Sequence, residues 1–264
     1  MALLGGLGRA AGVLRRDGPG GMADRLRLRA AFRAQGPWDL RLQGGDFHFA
    51  HRGELFAYVE TFVRHVYDAV PGFTPGDGWT VVDVGANVGC FSAYALCRMR
   101  RGALYALEPN PAAFASLERV TGAWRARRPH LHLVVRRGAA GTTRSRAEFV
   151  VPAGASVRGA FAHLAADASE GQRFEVEVLP LDAWLAEAGA ATVDLLKIDV
   201  EGAEVDVLAG APATLAQTAR VVLEWHGPDR LEAVSEALAR TGLRLVHRVA
   251  DPADPQVGVA YFRR

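Results

Sequence analysis

One stretch narrows the choice of fold more than any other. In Val81–Leu96, VVDVGANVGCFSAYAL, an apolar run carrying Asp83 meets a glycine turn and continues with helical amphipathicity. Strand, tight turn and helix in immediate succession open a parallel sheet wrapped by helices, because a parallel neighbour is reached only by a crossover. The strand of this unit is Thr80–Val84, and further strand-like runs follow at Leu104–Glu108, Leu131–Val135, Val193–Ile198 and Arg220–Trp225. The last two runs, Leu243–Arg248 and Val257–Phe262, are separated by the turn-rich ADPADPQ, too short for a crossover helix, so they pair antiparallel. The expectation is an α/β, Rossmann-like fold: a mostly parallel seven-stranded sheet, a C-terminal antiparallel hairpin and helices on both faces.

The turn reads as a cofactor loop. Gly85 permits the sharp bend and a close approach of ligand to backbone, Gly89 lets the following helix pack on the strand, and Ala86 and Asn87 lie between them. The two glycines are four residues apart, which departs from the GxGxxG that cradles a pyrophosphate and favours a cofactor without phosphates. S-adenosylmethionine fits that description, with Asp83 meeting its methionyl ammonium directly or through water and Glu108, at the end of the next strand, accepting hydrogen bonds from its ribose hydroxyls. Asn110 is placed to cap the next helix. A NAD-binding Rossmann enzyme is the alternative reading of these residues.

The most distinctive segment is VDLLKIDVEGAEVDVLAGA, Val193–Ala211. Strand alternation puts Lys197 and Asp199 on one face, with Glu201 following if the chain stays extended to Gly202, and turns Leu196 and Ile198 to the other. On the next strand Glu224 and His226 alternate while Trp225 points away. Charges gathered at the carboxyl ends of central strands sit where open α/β sheets place their ligands. Lys197, the only lysine in the sequence, is therefore grouped with Asp199, Glu201, Glu224 and His226 as a candidate catalytic and acceptor-positioning set. An alcohol is a poor nucleophile and needs a base to take its proton, and Asp199, Glu224 and His226 are the candidates. The same three are acceptable ligands for a divalent metal, a variant not favoured over metal-free chemistry. The plainer alternative is a Lys197–Asp199 ion pair that only neutralises buried charge, with Glu204 and Asp206 on a solvated helix face.

Together, DVGANVG, ALEPNP, DVEGAE and VVLEWH resemble the FkbM-family methyltransferases over roughly residues 75–226. The resemblance implies a class I S-adenosylmethionine-dependent fold that commonly methylates hydroxyls on natural products, sugars or glycolipids. After the third strand, Gly138, Ala139 and Ala140 stand where many proteins of this fold have a polar residue near adenine, so contacts at Ala139 would rest on backbone groups. A catalytically idle cofactor-binding partner subunit is a second functional class, and the intact acidic cluster argues against it.

Bulk properties bound the partners. The formal charge of +2 gives no long-range field for nucleic acid, so a small-molecule or glycan hydroxyl is the expected acceptor. No window reaches the roughly 18 uncharged apolar residues of a membrane span, and the glycine- and arginine-interrupted start makes no signal peptide, which reads as a cytoplasmic protein. Cys90 and Cys97 fall in one helix, cannot bridge, and read as thiols in a reducing compartment. Residues 1–37, punctuated by glycines, read as a flexible or loosely ordered extension, and 38–264 as the catalytic domain. A helix over Glu54–Val70 should cover one sheet edge, and the β-rich stretch at about 147–178 reads as a hairpin inserted near the substrate mouth.

Overall fold

Alternation sorts each strand's side chains onto two faces, and two hydrophobic cores result. The computed structural model describes residues 14–152, 163–164, 171–227, 229–251 and 254–264. In chain order its first elements are α1 (Leu14–Arg33), β1 (Trp38–Leu42), β2 (Gly45–Phe49), α2 (Arg52–Tyr58), β3 (Thr80–Val84), α3 (Cys90–Arg98), β4 (Gly102–Glu108), α4 (Pro111–Arg127) and β5 (Leu131–Arg137). Then come β6 (Ala139–Ala140), β7 (Ser145–Pro152), β8 (His163–Leu164), β9 (Gly171–Leu179), α5 (Leu181–Glu187), β10 (Leu195–Ile198), α6 (Glu204–Ala209), α7 (Pro212–Ala216), β11 (Arg220–His226), α8 (Arg230–Arg240), β12 (Arg244–Asp251) and β13 (Asp254–Arg263).

The main sheet has the order β12-β13-β11-β10-β3-β4-β5, with the five central and right-hand strands parallel and β13 antiparallel to both β11 and β12. This is the expected seven-stranded architecture, hairpin included. Val81, Leu104, Leu133, Leu195 and Val222 face one core, built with Phe47, Tyr58, Tyr94 and Trp124. Val82, Leu196, Ile198, Val221 and Leu223 face the other, built with Trp184, Val207, Leu215 and Leu238. Trp225 lies in this second core, away from Glu224 and His226 as alternation requires. Each fully buried large apolar side chain contributes roughly 1.5–3 kcal/mol, so two such layers hold the strand ends firmly in register.

Three expectations need correction on the first face. The region expected to be a loose lead-in contains α1, whose Leu28 and Ala31 are buried in the first core. It is pinned by Asp24, buried, which accepts hydrogen bonds from the Gln43 backbone N–H at 2.6 Å and the Tyr58 hydroxyl at 2.8 Å. Residues 1–13 lie outside the described residues. The helix expected over Glu54–Val70 stops early: α2 gives way to a π-helical turn over Val59–Arg64, and His65 turns left-handed with φ 56°. Val66 and Val70 still pack against the core, which is why their spacing reads as helical. The element lies against α3 and the β2 ribbon rather than along a sheet edge; Tyr58 and Phe62 stack at 4.4 Å and Phe62 meets Tyr94 edge-on.

The expected inserted hairpin is present as β7 and β9, paired antiparallel from Ser145↔Val178 to Pro152↔Gly171. It belongs to a separate four-stranded sheet, β6-β9-β7-β8, and most of its glycine- and alanine-rich middle lies outside the described residues. Cys90 and Cys97 share α3 and are unbridged. Among the described residues no helix is long and apolar enough to cross a membrane.

Candidate active site

The carboxyl ends of β3, β4 and β10 open into one cavity. It is lined by Gly85 and Asn87 after β3, by Glu108 to Asn110 after β4, by Gly138 to Ala140 and Phe149, by Asp199 to Glu201 and Ala203 after β10, and by His51 and Glu54 from the start of α2. Among these lining residues there is no lysine or arginine, while four are acids: Glu54, Glu108, Asp199 and Glu201.

The loop after β3 is shaped by backbone need. Gly85 has φ 74°, and a Cβ there would lie 1.8 Å from the Asp199 carbonyl oxygen. The close approach expected of a ligand is thus made by the protein's own backbone, which joins the β3 and β10 loops at the cavity floor. Asn87 is also left-handed, φ 51°, and its N–H donates to Glu108 at 2.7 Å while the Asn110 N–H donates to the other Glu108 oxygen at 2.8 Å. Burial pushes the Glu108 carboxyl up to about 7 against these two bonds. Asn110 caps α4, its side chain accepting from Ala112 N–H at 3.0 Å. At Gly89, φ 89°, a Cβ would press on Leu117 at 3.1 Å, so this glycine serves packing of the loop on α4.

Asp83, Ala86 and Gly89, expected at the cofactor, do not line the cavity. Ala86 packs with Ala106 and Leu117. Asp83 is fully buried; it accepts from Ser92 at 2.7 Å and pairs with Lys197 at 3.2 Å, the residue directly beside it in the β3–β10 ladder. Lys197 also donates to the Gly85 carbonyl at 2.8 Å and lies 3.5 Å from Asp199. The ion pair considered as the plain alternative therefore exists, with Asp83 as the nearer partner. Burial opposes the charge on Lys197, but Asp83 and Asp199 outweigh it and raise the ammonium above its usual range.

The strand ends at Ile198, and Glu201 is left-handed at φ 53° rather than extended. Its carboxylate still reaches the cluster, 3.1 Å from His226 Nε2. Glu204, expected on a solvated helix face, is fully buried; its Oε1 lies 2.8 Å from His226 Nδ1 and accepts the Gly202 N–H. Burial disfavours a charged His226, yet Glu204, Glu201 and their acidic neighbours hold it protonated up to about 10. Burial pushes Glu224 up to about 8, with the Asp199 charge adding to the effect, and drives Glu201 well above the carboxylate range. Asp199, Glu224 and His226 offer ligand atoms all within 4.8 Å, although both imidazole nitrogens already face carboxylates. Of the catalytic candidates, Asp199 and Glu201 line the cavity and Lys197, Glu224 and His226 do not.

Three groups were not read from the sequence. Glu54, buried, accepts the Ala50 N–H at 2.5 Å beside His51. Glu60, on the π-helical turn, is pushed up to about 7 by burial. The Tyr67 hydroxyl lies 3.2 Å from Asp199 and 3.1 Å from Glu224.

Comparison with known proteins decides the family. The Methyltransferase FkbM domain matches residues 83–242, more than half the sequence. The chain belongs to the FkbM methyltransferase family. Two curated relatives are each 30% identical: the AMB antimetabolite synthetase AmbE of Pseudomonas aeruginosa, over 72% of this chain and 10% of that protein, and the 31-O-demethyl-FK506 methyltransferase FkbM of Streptomyces tacrolimicus, over 71% and 78%. A crystal structure of Methyltransferase FkbM from Methylobacillus flagellatus KT superposes with TM-score 0.52 at 16% identity, covering 79% of this chain and 53% of that one, and shares the fold. The chain thus spans about a tenth of the synthetase and half of the solved protein. The FkbM match contains Asp83 through Glu224 but begins after Glu54, Glu60 and Tyr67, so the first-face segment that completes the site lies outside the family's matched region.

Proposed function

We propose that this FkbM-family methyltransferase takes its methyl group from S-adenosylmethionine and delivers it to a hydroxyl oxygen on a small-molecule or glycan acceptor. The observation that carries the reading is the make-up of the cavity wall: four acids, Glu54, Glu108, Asp199 and Glu201, and no lysine or arginine among the described lining residues. Such a wall offers acceptors to an ammonium and to ribose hydroxyls and, among the described lining residues, no lysine or arginine to hold the diphosphate of a dinucleotide. Glu108, held by two backbone N–H groups and with acceptor capacity to spare, suits a ribose diol; the side-chain-poor Gly138–Ala140 run with Phe149 leaves room for a flat base.

When bound, S-adenosylmethionine supplies an electrophilic methyl group. The protein's own part is to orient the acceptor and to receive its proton. Asp199 is the base: it faces the cavity and has a cation, Lys197, at 3.5 Å. Glu201 shares the cavity wall, and Glu224 and His226 adjoin Asp199 and Glu201. With the cofactor bound, Asp199 would take the acceptor's hydroxyl proton and become a neutral acid, while the acceptor oxygen takes the methyl group and the sulfonium leaves as the thioether of S-adenosylhomocysteine. The Streptomyces relative is named as a methyltransferase of 31-O-demethyl-FK506, which agrees with methylation at oxygen.

Calorimetric titration with S-adenosylhomocysteine tests the cofactor assignment. Binding is expected, and Glu108→Ala should weaken it by about 1.5–3 kcal/mol through loss of charge-assisted ribose bonds. Tighter binding of NAD than of S-adenosylhomocysteine would overturn the assignment.

A further inference from the structure

We infer that Glu54 is a specificity-determining residue of the cavity, receiving the ammonium at the amino-acid end of the cofactor and so selecting nucleosides that carry one. The inference rests on S-adenosylmethionine as the cofactor, proposed above.

The argument is one of elimination along the cavity wall. Asp83, the acid expected to meet this ammonium, is fully buried, is paired with Lys197 at 3.2 Å and does not line the cavity. Of the four acids that do, Asp199 has the Lys197 ammonium at 3.5 Å and Glu201 the His226 imidazole at 3.1 Å. Glu108 accepts one backbone N–H on each oxygen, from Asn87 and Asn110, at the strand end that suits a ribose. Glu54 has no lysine or arginine partner among the described residues: His51 Nε2 lies 3.5 Å from its Oε1, and its Oε2 accepts the Ala50 N–H. A carboxylate has about four lone-pair sites, so acceptor capacity is left over.

The surroundings of Glu54 suit a cation. It stands beside the first turn of α3, which follows directly on the β3 loop: burial first, and the Glu54 charge second, push the Cys90 thiol up. Burial raises the Glu54 carboxyl from its ordinary value, and an ammonium brought beside it favours the charged form. His51 lines the same cavity, and its Nδ1 is buried without a hydrogen-bond partner among the described residues, so polar capacity here is left unused by the protein itself.

The plainer role for Glu54 is that of a cap. It is the third residue of α2 and reaches back to the N–H groups that precede the helix, as in a capping box. That role needs an acceptor oxygen but no charge. Glutamine supplies the oxygen alone, so Glu54→Gln separates the two roles.

Calorimetric titration with S-adenosylhomocysteine and with its deamino analogue, in which hydrogen replaces the amino group, reads the difference without an acceptor. Wild type should bind S-adenosylhomocysteine roughly 10- to 100-fold more tightly than the analogue, the worth of one charge-assisted hydrogen bond. In Glu54→Gln the gap should nearly close, through loss of affinity for S-adenosylhomocysteine while affinity for the analogue and the thermal midpoint stay near those of wild type. Equal affinities in wild type, a gap that survives in Glu54→Gln, or an equal loss for both ligands, as a cap alone would give, would overturn the inference. Should Glu54→Gln fail to fold, Glu54→Asp keeps the charge but draws it back by one methylene; the gap should then narrow, and an unchanged gap counts against the inference. Wild type that binds neither ligand removes the cofactor assignment and this inference with it, whereas wild type that binds both alike leaves the assignment standing and removes this inference alone.

Discussion

Asp199 lines the cavity and has the Lys197 ammonium 3.5 Å away. Asp199→Asn keeps the shape and removes the charge. Lys197 retains Asp83 at 3.2 Å and the Gly85 carbonyl, so the variant should keep its thermal midpoint and its affinity for S-adenosylhomocysteine. Turnover, measured on an acceptor found by screening sugars and polyketide alcohols, should fall by roughly 10²- to 10⁴-fold. His226 gives a test by pH. Its folded value near 10 exceeds its ordinary 6.5, so its stabilising contribution is complete below about 6.5 and is lost as pH rises through 10. Glu224, raised from 4.5 to about 8, has the same sign, its contribution whole below about 4.5 and lost as pH passes 8. The thermal midpoint should therefore decline between pH 7 and 10, and His226→Gln should flatten the upper part of that decline. At this scale the sequence made the cluster legible because Asp199, Glu224 and His226 end adjacent strands. It hid the partners, since Tyr67 and Glu60 come from a segment with no pattern but helical spacing.

Among elements, the joint between β3 and β10 decides the shape of the site. Gly85→Ala would drive a methyl group into the Asp199 carbonyl at a left-handed φ of 74°. The expected loss of stability is on the order of 1–3 kcal/mol, with weaker binding of S-adenosylhomocysteine because the Asp199 loop must move; urea denaturation and calorimetry read the two effects, and an unchanged variant would show that the contact is dispensable. Strand existence and direction could be read from residues 80–262 because apolar runs alternate with glycine turns and helices, a pattern that leaves little topological freedom. The π-helical turn at Val59–Arg64 could not: it keeps apolar residues on the buried side while adding a residue to the turn, so the apolar spacing stays that of a helix. Glu204 departs from its expected solvated position for a related reason. A short helix with two acids in its first turn looks solvated unless a buried imidazole is known to face one of them.

For the whole molecule, the first-face layer of α1, β1, β2 and α2 is as much a part of the core as the sheet it covers. Glycine content alone suggested a loose beginning, whereas Asp24, Leu28 and Ala31 tie α1 down through contacts with residues distant in sequence. Lys197 carries a different consequence at this scale. It is the only lysine of the sequence and it is buried on a central strand, so a lysine-specific endoprotease has one bond to cut, Lys197–Ile198, and cannot seat it in its cleft while the sheet is intact. Digestion then reports the opening of the molecule's centre with a single clean product pair, residues 1–197 and 198–264. Its rate should rise with urea as steeply as global unfolding does; a shallower rise would mean that β10 slips out of the sheet while the rest of the fold persists.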